Sequence, residues 1–282
     1  MKVERIAVLG AGTMGHGIAQ IAAQSGYTVR LYDIDEAAVS RGLGRIRDNL
    51  AKGIEKKKVT EAQRDETLAR ISTSTELRVA EGCELVIEAG PEDLALKQKL
   101  FAELSTLCGP DAVLATNTSS LSLTDIAAAA KNPARVVGMH FFNPPHLMKL
   151  LEIVRAFQTS DETVAIAREV GTKLGKELVQ VNDAPGFASS RLGIAIAMEA
   201  IRMVEEGVAR PEDIDRAMEL GYNHPMGPLK LTDHVGLDVR MAIAEYLHRE
   251  LGAPQFRPPQ RLKKLVKAGK LGKKSGEGFY KY

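Results

Sequence analysis

The first third of the chain is constrained by one short glycine turn. Gly10-Ala11-Gly12-Thr13-Met14-Gly15 follows an apolar run, Ile6–Leu9, and precedes a stretch with helical spacing at Ile18, Ile21 and Ala22. A second run, Thr28–Tyr32, leads into Asp33, 21 positions after Gly12. Strand, glycine turn, helix, strand and acid in that order form the pattern of a dinucleotide-binding βαβ unit. Gly10 permits the tight turn, Gly12 lets the backbone approach a pyrophosphate, and Gly15 allows close helix–strand packing. The helix N-terminus offers unpaired N–H groups and the positive end of its dipole to the phosphates.

Asp33 narrows the cofactor. A carboxylate there accepts both ribose hydroxyls and repels a 2′-phosphate, and no arginine follows it directly, so NAD is expected rather than NADP. The expected cofactor contacts in this segment are Gly10, Gly12, Thr13, Met14, Gly15 and Asp33.

Further apolar runs at Leu85–Ala89, Val113–Ala115, Val136–Met139, Leu150–Val154 and Leu178–Val181 alternate with helical patterns at about 93–107, 122–130 and 161–174. The alternation predicts an α/β fold of Rossmann type, with a mostly parallel, doubly wound sheet. The long connection at 35–70 has Leu43, Ile46, Leu50 and Ile54 at helical intervals, then Thr60-Glu61-Ala62-Gln63 as a capping box before Leu68 and Ile71. It predicts an inserted helical hairpin projecting from the first domain. The pattern changes at Asp183-Ala184-Pro185-Gly186, where Asp183 or Ala184 is expected to precede a helix with Pro185 in its first turn. Helical patterns then follow at about 186–205, 211–220, 228–250 and 258–268. The expected domains are residues 1–184, binding NAD, and 185–282, an all-α domain.

With 44% hydrophobic and 26% charged residues, the 282-residue chain has the composition of a soluble globular protein. A net charge of +2 gives no global reason to expect nucleic acid or membrane as a partner. Two cysteines, Cys83 and Cys108, fit neither a disulfide framework nor a zinc site, so no metal is expected. Met1 stands five residues before a core strand, and a cytoplasmic location is expected.

Chemistry is concentrated at later strand ends. His140 and Asn143 lie in Gly138-Met139-His140-Phe141-Phe142-Asn143-Pro144, after an apolar run, where ligands of open α/β sheets bind. Histidine, with an ordinary pKa of ~6.5, suits proton exchange with a substrate hydroxyl. Glu152 stands inside the next apolar run, where a carboxylate needs a partner, and pairing with His140 supplies one. The alternative is a satisfied core histidine and a solvent-facing glutamate. Thr116-Asn117-Thr118-Ser119-Ser120 follows another strand end and reads either as a ligand-contacting segment or as a polar turn, with Ser120 or Ser122 capping the next helix. Arg41, Arg45, Arg47, Lys52, Lys56, Lys57 and Lys58 make the hairpin basic, which suits an anionic phosphate-bearing ligand as well as it suits a solvated helix face. The glycines and lysines of Leu271–Tyr280 imply a backbone turning close to some other group.

Taken together, these motifs resemble the short bacterial L-3-hydroxyacyl-CoA dehydrogenases, in particular their 3-hydroxybutyryl-CoA branch. The resemblance covers essentially the whole chain through Gly10–Gly15 with Asp33, Thr116–Leu121, Gly138–Pro144, Met148–Glu152, Ala184–Phe187, Asn223–Pro228 and Leu271–Tyr280. It implies NAD-linked interconversion of (S)-3-hydroxyacyl-CoA and 3-oxoacyl-CoA, an acyl-CoA substrate of short chain, and a homodimer formed through the C-terminal domain. It implies that His140 is the catalytic base and Glu152 its orienting carboxylate, with Ser119 and Asn143 near the substrate oxygen and the nicotinamide. Glu92, Lys97, Asn117 and Lys274 match cofactor contacts, and Lys52 and Lys56 the basic residues toward the CoA phosphates. Ser190 stands where the family has a substrate-contacting asparagine, and Pro145-His146-Leu147 also departs from the usual pattern. These departures keep open a second reading, an NAD-dependent dehydrogenase of a CoA-free 3-hydroxy acid, and beyond it a nucleotide-binding protein without catalysis.

Overall fold

The computed structural model describes residues Met1–Tyr282, which divide into two compact units, Met1–Asp183 and Ala184–Tyr282. The first unit is built on one eight-stranded sheet: β1 (Arg5–Leu9), β2 (Thr28–Tyr32), β3 (Ile71–Ser74), β4 (Leu85–Glu88), β5 (Val113–Thr116), β6 (Val136–Phe141), β7 (Leu150–Arg155) and β8 (Glu177–Asn182). Their order is β3-β2-β1-β4-β5-β6-β7-β8. All neighbours are parallel except β6 and β7, which run antiparallel. Strands β4, β5 and β6 are buried along their whole length, because helices cover both faces of a parallel sheet.

Strand order reverses between β1 and β4, and a ligand crevice of this fold opens at that point. There Ala89 N–H donates to Leu9 O at 2.7 Å. A Cβ on Gly10 would stand 2.7 Å from Ala89 O, and one on Gly15 only 1.7 Å from Gly10 O. Gly10 also has φ +98°, so the turn needs glycine for conformation as well as for space.

The helices of this unit are α1 (Gly15–Gln24), α2 (Glu36–Glu55), α3 (Glu61–Ala69), α4 (Leu94–Leu107), α5 (Leu123–Ala128) and α6 (Asp161–Lys173). Thr60 and Gln63 form the expected reciprocal capping box at α3. Ser122, not Ser120, caps α5, accepting from Asp125 N–H at 3.2 Å.

The structure corrects the sequence reading in four places. The hairpin at 35–70 does not simply project. Its α2 buries Val39, Gly42, Ile46 and Leu50, and a Cβ on Gly42 would lie 2.7 Å from Ala11 O, so this helix packs on the glycine turn itself. Ile71 does not sit behind α3 but opens the edge strand β3, paired to β2. No helix starts at Pro185, because Gly186 and Phe187 take φ of +76° and +49°. Asp183 instead accepts from Thr124 N–H at 2.7 Å, at the start of α5. The predicted helix at 228–250 is broken in two by Gly236, φ +106°.

The second unit is helical: α7 (Ser189–Glu205), α8 (Pro211–Gly221), α9 (Pro228–Val235), α10 (Leu237–Leu251) and α11 (Gln260–Lys267). Its core includes Ile194, Met198, Ile201, Leu229, Leu237, Leu247, Phe256 and Leu262. The glycine-rich tail turns around Asp233, a buried carboxylate that accepts from Phe279 and Tyr280 N–H at 2.9 Å each. A Cβ on Gly272 or Gly278 would fall within 2.3 Å of Asp233, so those glycines serve close approach. Buried Asp215 accepts from the Tyr280 hydroxyl at 2.6 Å and secures the same tail.

Since Leu50 has no solvent exposure, Leu50→Ala is expected to destabilise the first unit by roughly 2–5 kcal/mol, as for a core leucine. Urea unfolding followed by far-UV circular dichroism measures this; a loss near zero would restore the projecting hairpin.

Candidate active site

The candidate site is assembled at the carboxyl edge of the parallel strands. At the glycine turn, Asp33 Oδ2 accepts from Ala11 N–H at 2.8 Å, which fixes the acid against the turn. Gly12 and Thr13 are exposed, Met14 is half-buried, and the space a Cβ would take at Gly12 is open. Helix α1 has no side-chain cap and no acid in its first turn. The other five α-helices of the unit are capped by Asp35, Thr60, Asp93, Ser122 and Ser160. An uncapped helix start beside an open glycine backbone and a ribose-sized acid position fits the phosphates and adenosine ribose of NAD.

Next along the edge lies a buried ion pair. Glu88, the last residue of β4, and Lys97 of α4 are each about 2% exposed in their side chains. Lys97 Nζ donates to both carboxylate oxygens of Glu88, at 2.6 and 2.8 Å. Gly90 N–H and the Thr116 hydroxyl complete the carboxylate at 2.6 Å each. Sequence reasoning missed Glu88, although its signal was present: an acid inside the apolar run Leu85–Ala89.

Lys97 also faces Glu92, with 3.7 Å between Nζ and Oε2. Glu92 Oε1 accepts from the Thr118 hydroxyl at 2.7 Å, Ser119 N–H at 2.7 Å and the Ser119 hydroxyl at 3.1 Å. Glu92, Lys97 and Ser119 therefore form one network. Asn117 is tied into the sheet edge, its Oδ1 accepting from Phe141 N–H at 2.8 Å.

His140 and Glu152 meet across one rung of the antiparallel pair β6·β7. His140 Nδ1 lies 2.8 Å from Glu152 Oε2, and the two residues are only 6% and 1% exposed. Opposite an ionised carboxylate Nδ1 carries the hydrogen, which directs proton exchange to Nε2. The Phe142 ring stands 4.6 Å from the imidazole, centroid to centroid. Asn143 follows, exposed, at a cis peptide bond to Pro144.

The remaining candidates lie on other elements. Lys52 and Lys56 lie at the end of α2, with Lys56 exposed. In the second unit, Ser190 occupies the first turn of α7, and Lys274 Nζ donates to Asp238 at 2.7 Å. Burial pushes the Asp238 carboxyl up, but the hydrogen bonds from Lys274 and backbone N–H groups outweigh it and hold the carboxyl below the usual range. Both cysteines are buried, and burial pushes the Cys108 thiol up to about 11. No three His, Cys, Asp or Glu side chains are grouped to hold a metal ion, and no helix is long and apolar enough to cross a membrane.

Residues 5–184 match the NAD binding domain of 3-hydroxyacyl-CoA dehydrogenase, and residues 186–282 match its C-terminal domain. The chain is 50% identical over 282 residues to a probable 3-hydroxybutyryl-CoA dehydrogenase of Bacillus subtilis, covering 100% of this chain and 98% of the relative. It is similar to the crystal structure of (S)-3-hydroxybutyryl-CoA dehydrogenase PaaH1 from Ralstonia eutropha, with TM-score 0.96, 41% identity, and 100% and 99% of the two chains covered. The crystal structure of Mycobacterium tuberculosis FadB2 matches with TM-score 0.97 and 44% identity, over 100% of both chains.

Proposed function

Because the chain belongs to the 3-hydroxyacyl-CoA dehydrogenase family, we propose that it interconverts (S)-3-hydroxybutyryl-CoA and acetoacetyl-CoA with NAD. The observation that carries this reading is the buried His140–Glu152 pair. When bound, NAD supplies the hydride acceptor for oxidation at C3, and NADH the donor for reduction. In oxidation, Nε2 of His140 takes the proton of the 3-hydroxyl as the C3–H bond gives up its hydride. The resulting imidazolium faces the Glu152 carboxylate, which stabilises the charge where little water reaches it. In reduction the same nitrogen returns the proton. Ser119 and Asn143 meet the substrate oxygen and the nicotinamide, an electrostatic role set up before reaction. The Ser119 hydroxyl donates to Glu92 at 3.1 Å, so in this state it offers the substrate hydroxyl an acceptor.

The cofactor is assigned to Gly10, Gly12, Thr13, Met14, Gly15 and Asp33, with Glu92, Lys97, Asn117 and Lys274 as further contacts. Lys97 acts largely by setting Glu92 and Glu88, since its ammonium is buried between them. Lys52 and Lys56 are assigned to the CoA phosphates and Ser190 to the acyl group. The short chain is supported by the names of the most similar relatives. A homodimer is supported by exposed apolar side chains of the second unit, Leu192 and Ile196 one turn apart on α7 and Val239 on α10. A cytoplasmic location accords with two unpaired buried cysteines.

His140→Ala is expected to lower kcat by about 10²–10⁴-fold, the usual worth of general acid–base help, with NADH affinity unchanged. Stopped-flow NADH consumption with acetoacetyl-CoA, beside fluorescence titration of NADH, checks both halves; unchanged turnover removes His140 from the mechanism. Lys56→Glu is expected to raise KM for acetoacetyl-CoA, and the increase should shrink as salt screens the exposed charge. A KM unmoved by this change at low salt would favour the CoA-free 3-hydroxy acid as substrate.

A further inference from the structure

A pocket of about 390 Å³ lies in the first unit between the C-terminal end of α1 and the turn after α6. That volume is in the range of small-ligand sites, about 300–1,000 Å³. Gln24 and Ser25 line one side, and His146, Lys149 and Lys176 another. No aspartate or glutamate lines it. None of these side chains takes part in the chemistry assigned to His140.

Three observations give the pocket its character. Lys176 is held in place by donating to the carbonyls of Pro145 and Met148, at 2.5 and 2.7 Å. Two of its three ammonium donors are so used, and no carboxylate pairs with it. His146 Nδ1 is buried without a hydrogen-bond partner, although buried polar atoms are nearly always paired. Lys149 adds a second lysine from the exposed loop before β7.

We propose that this pocket is a binding site for a small phosphate-bearing anion, received by His146, Lys149 and Lys176. The anion supplies what the pocket lacks, the negative charge that a half-buried ammonium with no carboxylate beside it calls for. The local field agrees with this geometry. Burial pushes the Lys176 ammonium below its ordinary range with nothing opposing it. His146 is lowered by burial first and then by the nearby charges of His16 and Lys176. A half-buried ammonium with no opposing carboxylate is one whose desolvation a bound anion relieves.

The test is calorimetric titration of the NADH-saturated protein with pyrophosphate, and separately with ADP, at constant ionic strength. Wild type is expected to bind saturably. His146→Ala and Lys149→Ala are each expected to weaken binding by about tenfold or more, the worth of one charge-assisted hydrogen bond, while kcat with acetoacetyl-CoA is retained as evidence of folding. Lys56→Ala, on the basic end of α2, should leave this binding unchanged. Equal affinity for the two ligands assigns recognition to the phosphates alone, and tighter ADP binding extends the site to a nucleoside. No saturable binding in wild type, or binding abolished by Lys56→Ala but kept in the pocket variants, overturns the proposal.

Discussion

Two buried carboxylates set the order of the carboxyl edge. Glu88 and Glu152 are each 1% exposed, and a bare carboxylate at such depth costs several kcal/mol unless it is paired and hydrogen-bonded. Each is therefore compensated by groups from neighbouring elements. Glu88 draws Lys97 back from α4, takes the hydroxyl of Thr116 from β5 and holds the turn at Gly90. Glu152 takes the imidazole of His140. The second pairing fixes the register of β6 on β7, because a slip by one residue would turn both side chains to opposite faces of the sheet. The geometry of the His140–Glu152 pair and the sheet register are one constraint here.

Much of this was legible in the sequence for the same physical reason. An acid inside Leu150-Leu151-Glu152-Ile153-Val154 announces a partner, and His140 was the available one. The antiparallel turn was legible too, though it was read only as part of a mostly parallel sheet. Residues 142–149 are too few for a parallel crossover, which needs about a dozen or more. Glu88 carried the same signal as Glu152, an acid inside the apolar run Leu85–Ala89, and was passed over.

What stayed hidden depends on contacts remote in sequence or on glycine conformation. Ile71–Ser74 has no alternation of apolar residues, and only the free edge of β2 makes it a strand. Gly236 is one glycine in a helical pattern until its φ of +106° ends α9 and starts α10. Gly186 and Phe187 take left-handed conformations that delay α7 to Ser189, so Ser190 falls in the first turn of that helix rather than well inside one. The tail glycines announced a close approach, but its object, Asp233, lies about forty residues away in sequence and could be found only in three dimensions.

The glycine turn gains from these remote contacts as well. Its shape is held from three sides before any ligand arrives: Gly10 against Ala89, Gly15 against Gly10, and Gly42 of α2 against Ala11. Asp33 adds a hydrogen bond to Ala11 N–H. A turn so confined has little freedom left to lose on binding, and ordering a loop is a main cost of association. The same argument explains why α1 alone among the helices of its unit lacks a side-chain cap. A serine or aspartate there would satisfy the first N–H groups and stabilise the helix by about 0.5–2 kcal/mol, but it would occupy the donors a phosphate needs. The first unit forgoes that stability at one helix start and keeps it at the other five.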